Sequence, residues 1–385
     1  MTGRRCGETA LSVPDSQTKS ASSEHRDSAA ELRQKLWSAF IGTLNHSGIP
    51  YCLLGATGVG HASGDADVDF AVRPSDFAQV PQLLATAAAS VGGHVIQAIE
   101  HETTATYFAV AIQRHGRVAF LHPDCTTDYR RQGRLWMSSV ELLGGTWRAP
   151  GSYWRPGPSV DFKYYLIKQL LKQTISDLQW KKLMALREAA NDPREAFCFW
   201  PLATAAQIEE ALSHNDRQLF RTLLPQLRRE LTNTPAVENA PAKASALAHD
   251  ADRIARRLAH PTGLFVQITG AGLQQRTELA NGLSHTLAPA FRRASVMSIS
   301  NPAGVVRDLI ASTLVLSPGQ ASPYRALYGG LDIRWQPELA AGGNLEFAVS
   351  AILSHLSRRT ARRLKLQSVS PHALELHNLA HTTAT

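Results

Sequence analysis

Residues 55–72, GATGVGHASGDADVDFAV, restrict this chain more than any other stretch. An apolar run at 51–54 ends on Gly55, a loop of small residues follows, and Asp67-Val68-Asp69 enters a second apolar run. Side chains on a strand alternate faces, so Asp67 and Asp69 point the same way. Two carboxylates on one face repel unless a cation sits between them, and such hard oxygen donors suit Mg²⁺ delivered with a nucleotide's phosphates. The competing account is that Asp65, Asp67 and Asp69 decorate a solvated turn and edge strand. A third carboxylate, Asp124, weighs against it by closing the apolar segment VAFLHPD.

The 385 residues give room for two or three domains. Residues 1–28 are rich in Ser, Thr and Asp, which predicts a disordered tail. Leu32, Leu36, Phe40 and Leu44 recur at four-residue spacing and predict a helix over 28–46. Strand signals at 51–54, 68–72, 106–112 and 117–122, with a helix over 77–91, predict a small mixed sheet with helical cover across 29–150. A Pro-rich break at 150–158 introduces an all-helical region, 151–231, with helices over 161–172, 176–190, 204–213 and 215–230. A linker and helix occupy 232–258. An α/β unit follows at 259–366, opening with the apolar run 263–269 and closing with a helix over 348–364. Residues 367–385 read as a tail.

The formal net charge of +8 points to anionic ligands, but the basic residues are dispersed and lack interleaved aromatics, so nucleic acid is not the expected partner. Four cysteines without CxxC spacing argue for a reducing compartment. No apolar run approaches a membrane span, and no hydrophobic segment follows Arg4 and Arg5, so a soluble cytoplasmic protein is expected. His377 and His381 lack a third ligand, and no GxSxG elbow is present for a hydrolase.

If the strand bearing Asp124 pairs beside the Asp67–Asp69 strand, three carboxylates converge. That arrangement suits metal-assisted nucleotidyl transfer by in-line displacement, two carboxylates bridging metal and the third completing coordination or polarising a hydroxyl. Gly55 and the loop after it would let backbone N–H groups approach phosphates. Arg130, Arg131 and Arg134 offer forks for phosphate oxygens; the alternative is a surface turn paired with Asp128 or Glu141. Lys168 and Lys172 lie one turn apart on an amphipathic helix, where spacing alone reads as a solvated face.

Glycine, loop, DxD on a strand and a later single Asp resemble the nucleotidyltransferase superfamily of DNA polymerase β type. The superfamily motif continues Gly-Ser or Gly-Gly; here Ala56 follows, leaving Thr57 or Ser63 to supply the phosphate-contacting hydroxyl. The segments LHPDCTTDYRRQGRLW, SVDFKYYLIKQLLK and PTGLFVQITGAG are similar to a bacterial group that joins such a domain to a thymidylate-kinase-like P-loop domain. Those proteins are associated with exopolysaccharide or capsule biosynthesis. The resemblance implies an α+β nucleotidyltransferase-like domain, a helical middle region and a C-terminal α/β P-loop-like domain. It implies Mg²⁺ and an NTP as ligands, polysaccharide-synthesis proteins as partners, and a role for Lys168.

The P-loop itself is degenerate. In GLFVQITGAGLQQRT, Gly270 and Thr277 fit G-x-x-x-x-G-K-[ST], but Gln275 replaces the second glycine and Arg276 the lysine. Kinase activity is not expected, and a non-catalytic scaffold or regulator built on two nucleotide-binding folds stands as the alternative to a transferase.

Overall fold

In the computed structural model the described residues are 27–55, 67–131, 134–150, 152–172, 175–233, 240–259, 261–270, 272–296, 312–318, 330–336 and 338–367. They form a mixed α/β molecule with about ten helices and several sheets. Thr57, Ala56 and Ser63 lie outside the described residues, as do residues 1–26 and 368–385 of the predicted tails.

Helix α1 (Ala29–His46) starts at Ser28, whose side chain accepts from the Glu31 N–H while Glu31 reaches back to the Ser28 N–H. The predicted stripe Leu32, Leu36, Phe40 and Leu44 is buried. The first sheet contains β1 (Tyr51–Leu53), β2 (Val68–Val72), β3 (Gly93–Glu102), β4 (Ala105–Arg114), β5 (Arg117–Leu121) and β6 (Pro123–Thr126), with α2 (Val80–Ser90) between β2 and β3. Its order is β1-β2-β6-β4-β3, and β5 pairs with β4. All pairings are antiparallel except β2 with β6.

Strand period places alternate residues in different cores. Tyr51, Leu53, Phe70 and Val72 pack with α1 and α2. Cys52, Leu54 and Ala71 point the other way, into a core built with α4 (Pro158–Lys172), α5 (Asp177–Ala189), α6 (Leu202–Ser213) and α7 (Arg217–Asn233). The helical region therefore shares a core with β1 and β2, across the Pro-rich break. At the other edge, Ile96, Ala109, Ala111 and Phe120 enter a third core with the C-terminal unit. Strand β3 is absent from the predicted elements because it is covered on both faces, so GHVIQAIEHE carries no apolar–polar alternation.

The C-terminal unit holds β11 (Leu264–Thr269), α9 (Leu273–Leu287), β12 (Arg293–Val296), β13 (Thr313–Ser317), β14 (Gly330–Arg334) and α10 (Ala341–Leu364). Its sheet is wholly parallel in the order β12-β13-β11-β14. The helix expected to close the 232–258 stretch is α8 (Ala240–Ala259), which begins inside the part read as linker; its Arg256 pairs with Glu100 of β3 at 3.2 Å. Gly270 ends β11 with φ of +88°, and a Cβ there would stand 2.7 Å from Arg334 Cγ and 3.1 Å from the Trp335 carbonyl oxygen. Gly270→Ala is expected to destabilise this unit by roughly 1–3 kcal/mol, read as a lower thermal midpoint. An unchanged midpoint would show that the turn relaxes without cost.

Candidate active site

The sheet's α4 side is covered at β1 and β2 by helices and at β3 and β4 by the C-terminal unit. Strand β6 lies between these coverings. Asp69 stands opposite Asp124 in the parallel β2–β6 register. Their sequence neighbours Phe70 and Cys125 face the α1 core, so both carboxylates face away from it. Asp67 precedes β2 and acts on both electrostatically. The expected convergence rests on a detail invisible in VAFLHPD: the run divides at His122. Residues 117–121 pair with β4, and Pro123 begins the separate strand that pairs with β2.

Burial and the neighbouring charges of Asp69 and Asp67 raise the Asp124 carboxyl to about 7, with Lys168 pulling the other way. Its side chain keeps 19 % of its surface exposed and lies 3.5 Å from His101 Nε2. Burial first, then the Arg131 charge, lowers the His101 imidazole to about 4. Near neutrality His101 is thus uncharged beside a carboxyl poised to exchange its proton. Asp67 is raised in the same direction by desolvation and by Asp69.

Lys168 of α4 donates directly to Asp69 Oδ2. Lys172 and Lys182 are both lowered by desolvation first and by the Lys168 charge next, with Asp69 opposing. Three lysines thus approach the carboxylates from α4 and α5. The Asp69 charge raises the carboxyls of both Asp67 and Asp124, and carboxylate oxygens are the donors a hard divalent cation would take. Among the described residues, however, no group of three His, Cys, Asp or Glu stands close enough to hold a metal ion. Asp69 Oδ2 is paired with the Lys168 ammonium.

Gly55 adopts φ of +60° and donates its N–H to Asp161 Oδ1 at 2.6 Å. Asp161 is 1 % exposed and pairs with Arg155. The Gly55 amide is therefore committed to protein, and its glycine character answers to a close approach: a Cβ would lie 3.1 Å from Tyr165 Cδ2. The arginines separate. Arg131 reaches Glu102 at 3.4 Å and, with Arg130, lines a small cavity of about 20 Å³ beside Asp69 and Asp124. Arg130 Nε lies 4.0 Å from Asp128, the pairing expected of a surface turn. Arg134 turns away, donating to the Leu231 carbonyl at 2.7 Å and lying 4.1 Å over the Trp136 ring. Glu141 pairs with Lys163 instead.

His101, Lys182 and Asp161 were not singled out in the sequence. His101 sits on the doubly covered strand. Lys182 and Asp161 belong to the helical region, whose contact with β1 and β2 no local pattern announces. In the C-terminal unit the Gly272 N–H donates to Gln275 Oε1 at 3.1 Å, and Thr277 Oγ1 donates to the Leu273 carbonyl at 2.8 Å. The amide and hydroxyl that would meet a phosphate are thus satisfied internally.

No protein-family model, curated protein or solved structure matches this chain.

Proposed function

We propose that the chain is a Mg²⁺-dependent nucleotidyltransferase of the DNA polymerase β type, acting on an unidentified acceptor in cell-surface polysaccharide production. The observation that carries this reading is the Asp69–Asp124 register on one sheet face, with the Asp124 carboxyl raised to about 7. Asp67 and Asp69 would hold the ion. Asp124 accepts the proton of the attacking hydroxyl, a task suited to a base that titrates near operating pH. Bound Mg²⁺ would neutralise phosphate charge at the point of displacement. Lys168, with Lys172 and Lys182, would meet the triphosphate, its contact with Asp69 giving way to the ion. Arg130 and Arg131 line the Asp124 side and suit phosphate oxygens there. On this reading the C-terminal unit is a degenerate P-loop domain without kinase activity.

Isothermal titration of each NTP with Mg²⁺ tests the proposal. Saturable binding by the wild type, weakened roughly 100-fold in Asp67→Asn/Asp69→Asn, is expected from the loss of two charge-assisted ligand contacts. Equal binding by wild type and double variant, or no heat with any NTP, would sink it. The second outcome favours the alternative, a non-catalytic scaffold or regulator. Two features support that alternative: the Lys168–Asp69 pair and the Gln275 cap over the P-loop amide.

A further inference from the structure

Between α10 and the outer ends of β3 and β4 lies a cleft of about 310 Å³, within the size range of small-molecule sites. Ile96, Ala111 and Leu353 form its apolar floor. Around the floor stand His94, Ser350, Ser354, Ser357 and Arg358, none with a hydrogen-bond or ion-pair partner among the described residues. Gln113 adds an amide held only loosely, 3.4 Å from the Glu346 carbonyl. Polar groups that converge on a cavity without satisfying one another are placed for a ligand that satisfies them. One step along the same α10–β3 seam, Gln97 is 4 % exposed, and both its amide atoms are buried without a partner.

The cleft's charge and shape define the ligand class. Its described walls contain no Asp or Glu. Arg358 belongs to a cationic stretch whose Arg359, Arg358 and Arg362 charges, after burial, lower the neighbouring His355 imidazole. Arg359 is already committed to the Gly263 and Pro261 carbonyls, which leaves Arg358 as the guanidinium facing the cleft. A guanidinium fork suits phosphate, and a row of three hydroxyls suits a polyol. Among the described residues no Phe, Tyr or Trp lines the cleft and the His94 imidazole is its one ring, which favours a polyol over a nucleobase held between aromatic faces. We propose that this cleft binds a sugar monophosphate. His94 and His101 are seven residues apart on β3, which separates the cleft from the carboxylates by roughly 23 Å at the strand rise. The site is distinct from the transferase centre and does not depend on it.

Calorimetric titration of the full chain with glucose, galactose and mannose 1-phosphates tests this, with inorganic phosphate and free glucose as further probes. Saturable binding of at least one sugar phosphate is expected, at least tenfold tighter than inorganic phosphate. Arg358→Ala should weaken it tenfold or more, and Ser354→Trp, at an exposed helix position, should block it. Asp69→Asn should leave it unchanged. The proposal is overturned if none of the three sugar phosphates binds or if inorganic phosphate binds as tightly. It is also overturned if affinity falls in Asp69→Asn rather than Arg358→Ala, which would place the ligand at the carboxylates.

Discussion

Asp161→Ala is expected to lower the stability of the first two units by roughly 3–5 kcal/mol, the usual cost of removing one partner from a buried ion pair. Asp161 is 1 % exposed and serves two groups at once, the Gly55 N–H and the Arg155 guanidinium. Its removal strands a buried amide and an arginine whose side chain is 16 % exposed. Burial raises the Asp161 carboxyl, and Arg155, the Gly55 N–H and Lys182 draw it back down. Asp161→Asn keeps an oxygen acceptor for Gly55 without the buried charge, so its loss should be well under half that of alanine. Urea unfolding followed by tryptophan fluorescence checks both, with Trp180 and Trp200 reporting from the shared core. Equal, small losses in the two variants would mean that Gly55 is held by its surroundings rather than by this carboxylate.

Asp161 also marks where sequence reading stops. Asp67, Asp69 and Asp124 are legible because a strand's two-residue period fixes faces without tertiary information. Helix α1 is legible for the parallel reason, a stripe at helical spacing. Strand β3 is not, because covering both of its faces erases the alternation that identifies a strand. The pairing of Gly55 with Asp161 spans 106 residues and joins a turn to a helix start, and nothing local requires it. The sequence marks Gly55 for a close backbone approach to phosphate; in the fold its N–H meets Asp161 and a Cβ there would meet Tyr165. Arg130, Arg131 and Arg134 read as one basic cluster in sequence, yet the hairpin of β7 (Tyr129–Arg131) and β8 (Arg134–Met137) divides them. Arg130 and Arg131 line the cavity beside the carboxylates, whereas Arg134 joins the end of α7. By spacing alone Lys168 looks like a solvated helix lysine, and only the resemblance singles it out. Its contact becomes visible when α4 is laid against β2, where its ammonium meets Asp69.

Asp124→Asn should stabilise the protein, and do so only at higher pH. The wild-type carboxyl titrates near 3.8 when unfolded and is raised to about 7 in the fold. Between those values the native state holds a proton that the unfolded chain releases, so wild-type stability falls as pH rises through that window and levels off above it. Below about pH 4 the carboxyl is protonated in both states, and the wild type and the nearly isosteric amide should unfold alike. By pH 8 the native wild type carries the Asp124 charge beside Asp69 and Asp67. At 1.36 kcal/mol per unit the advantage of asparagine has a ceiling of roughly 4 kcal/mol. About 2 kcal/mol is expected, because water reaches part of the side chain and the raised Asp67 carboxyl nearby interacts with it. Apparent unfolding midpoints for both proteins from pH 4 to 8 provide the check, and parallel curves would remove the buried-acid account of Asp124. Repeating the series with millimolar Mg²⁺ separates the two functional readings. A cation held by Asp67 and Asp69 favours the charged form of Asp124, so the wild type should recover at pH 8 and the asparagine advantage shrink. If Lys168 is instead the permanent counter-ion of a scaffold, the pH dependence remains and Mg²⁺ leaves it where it was.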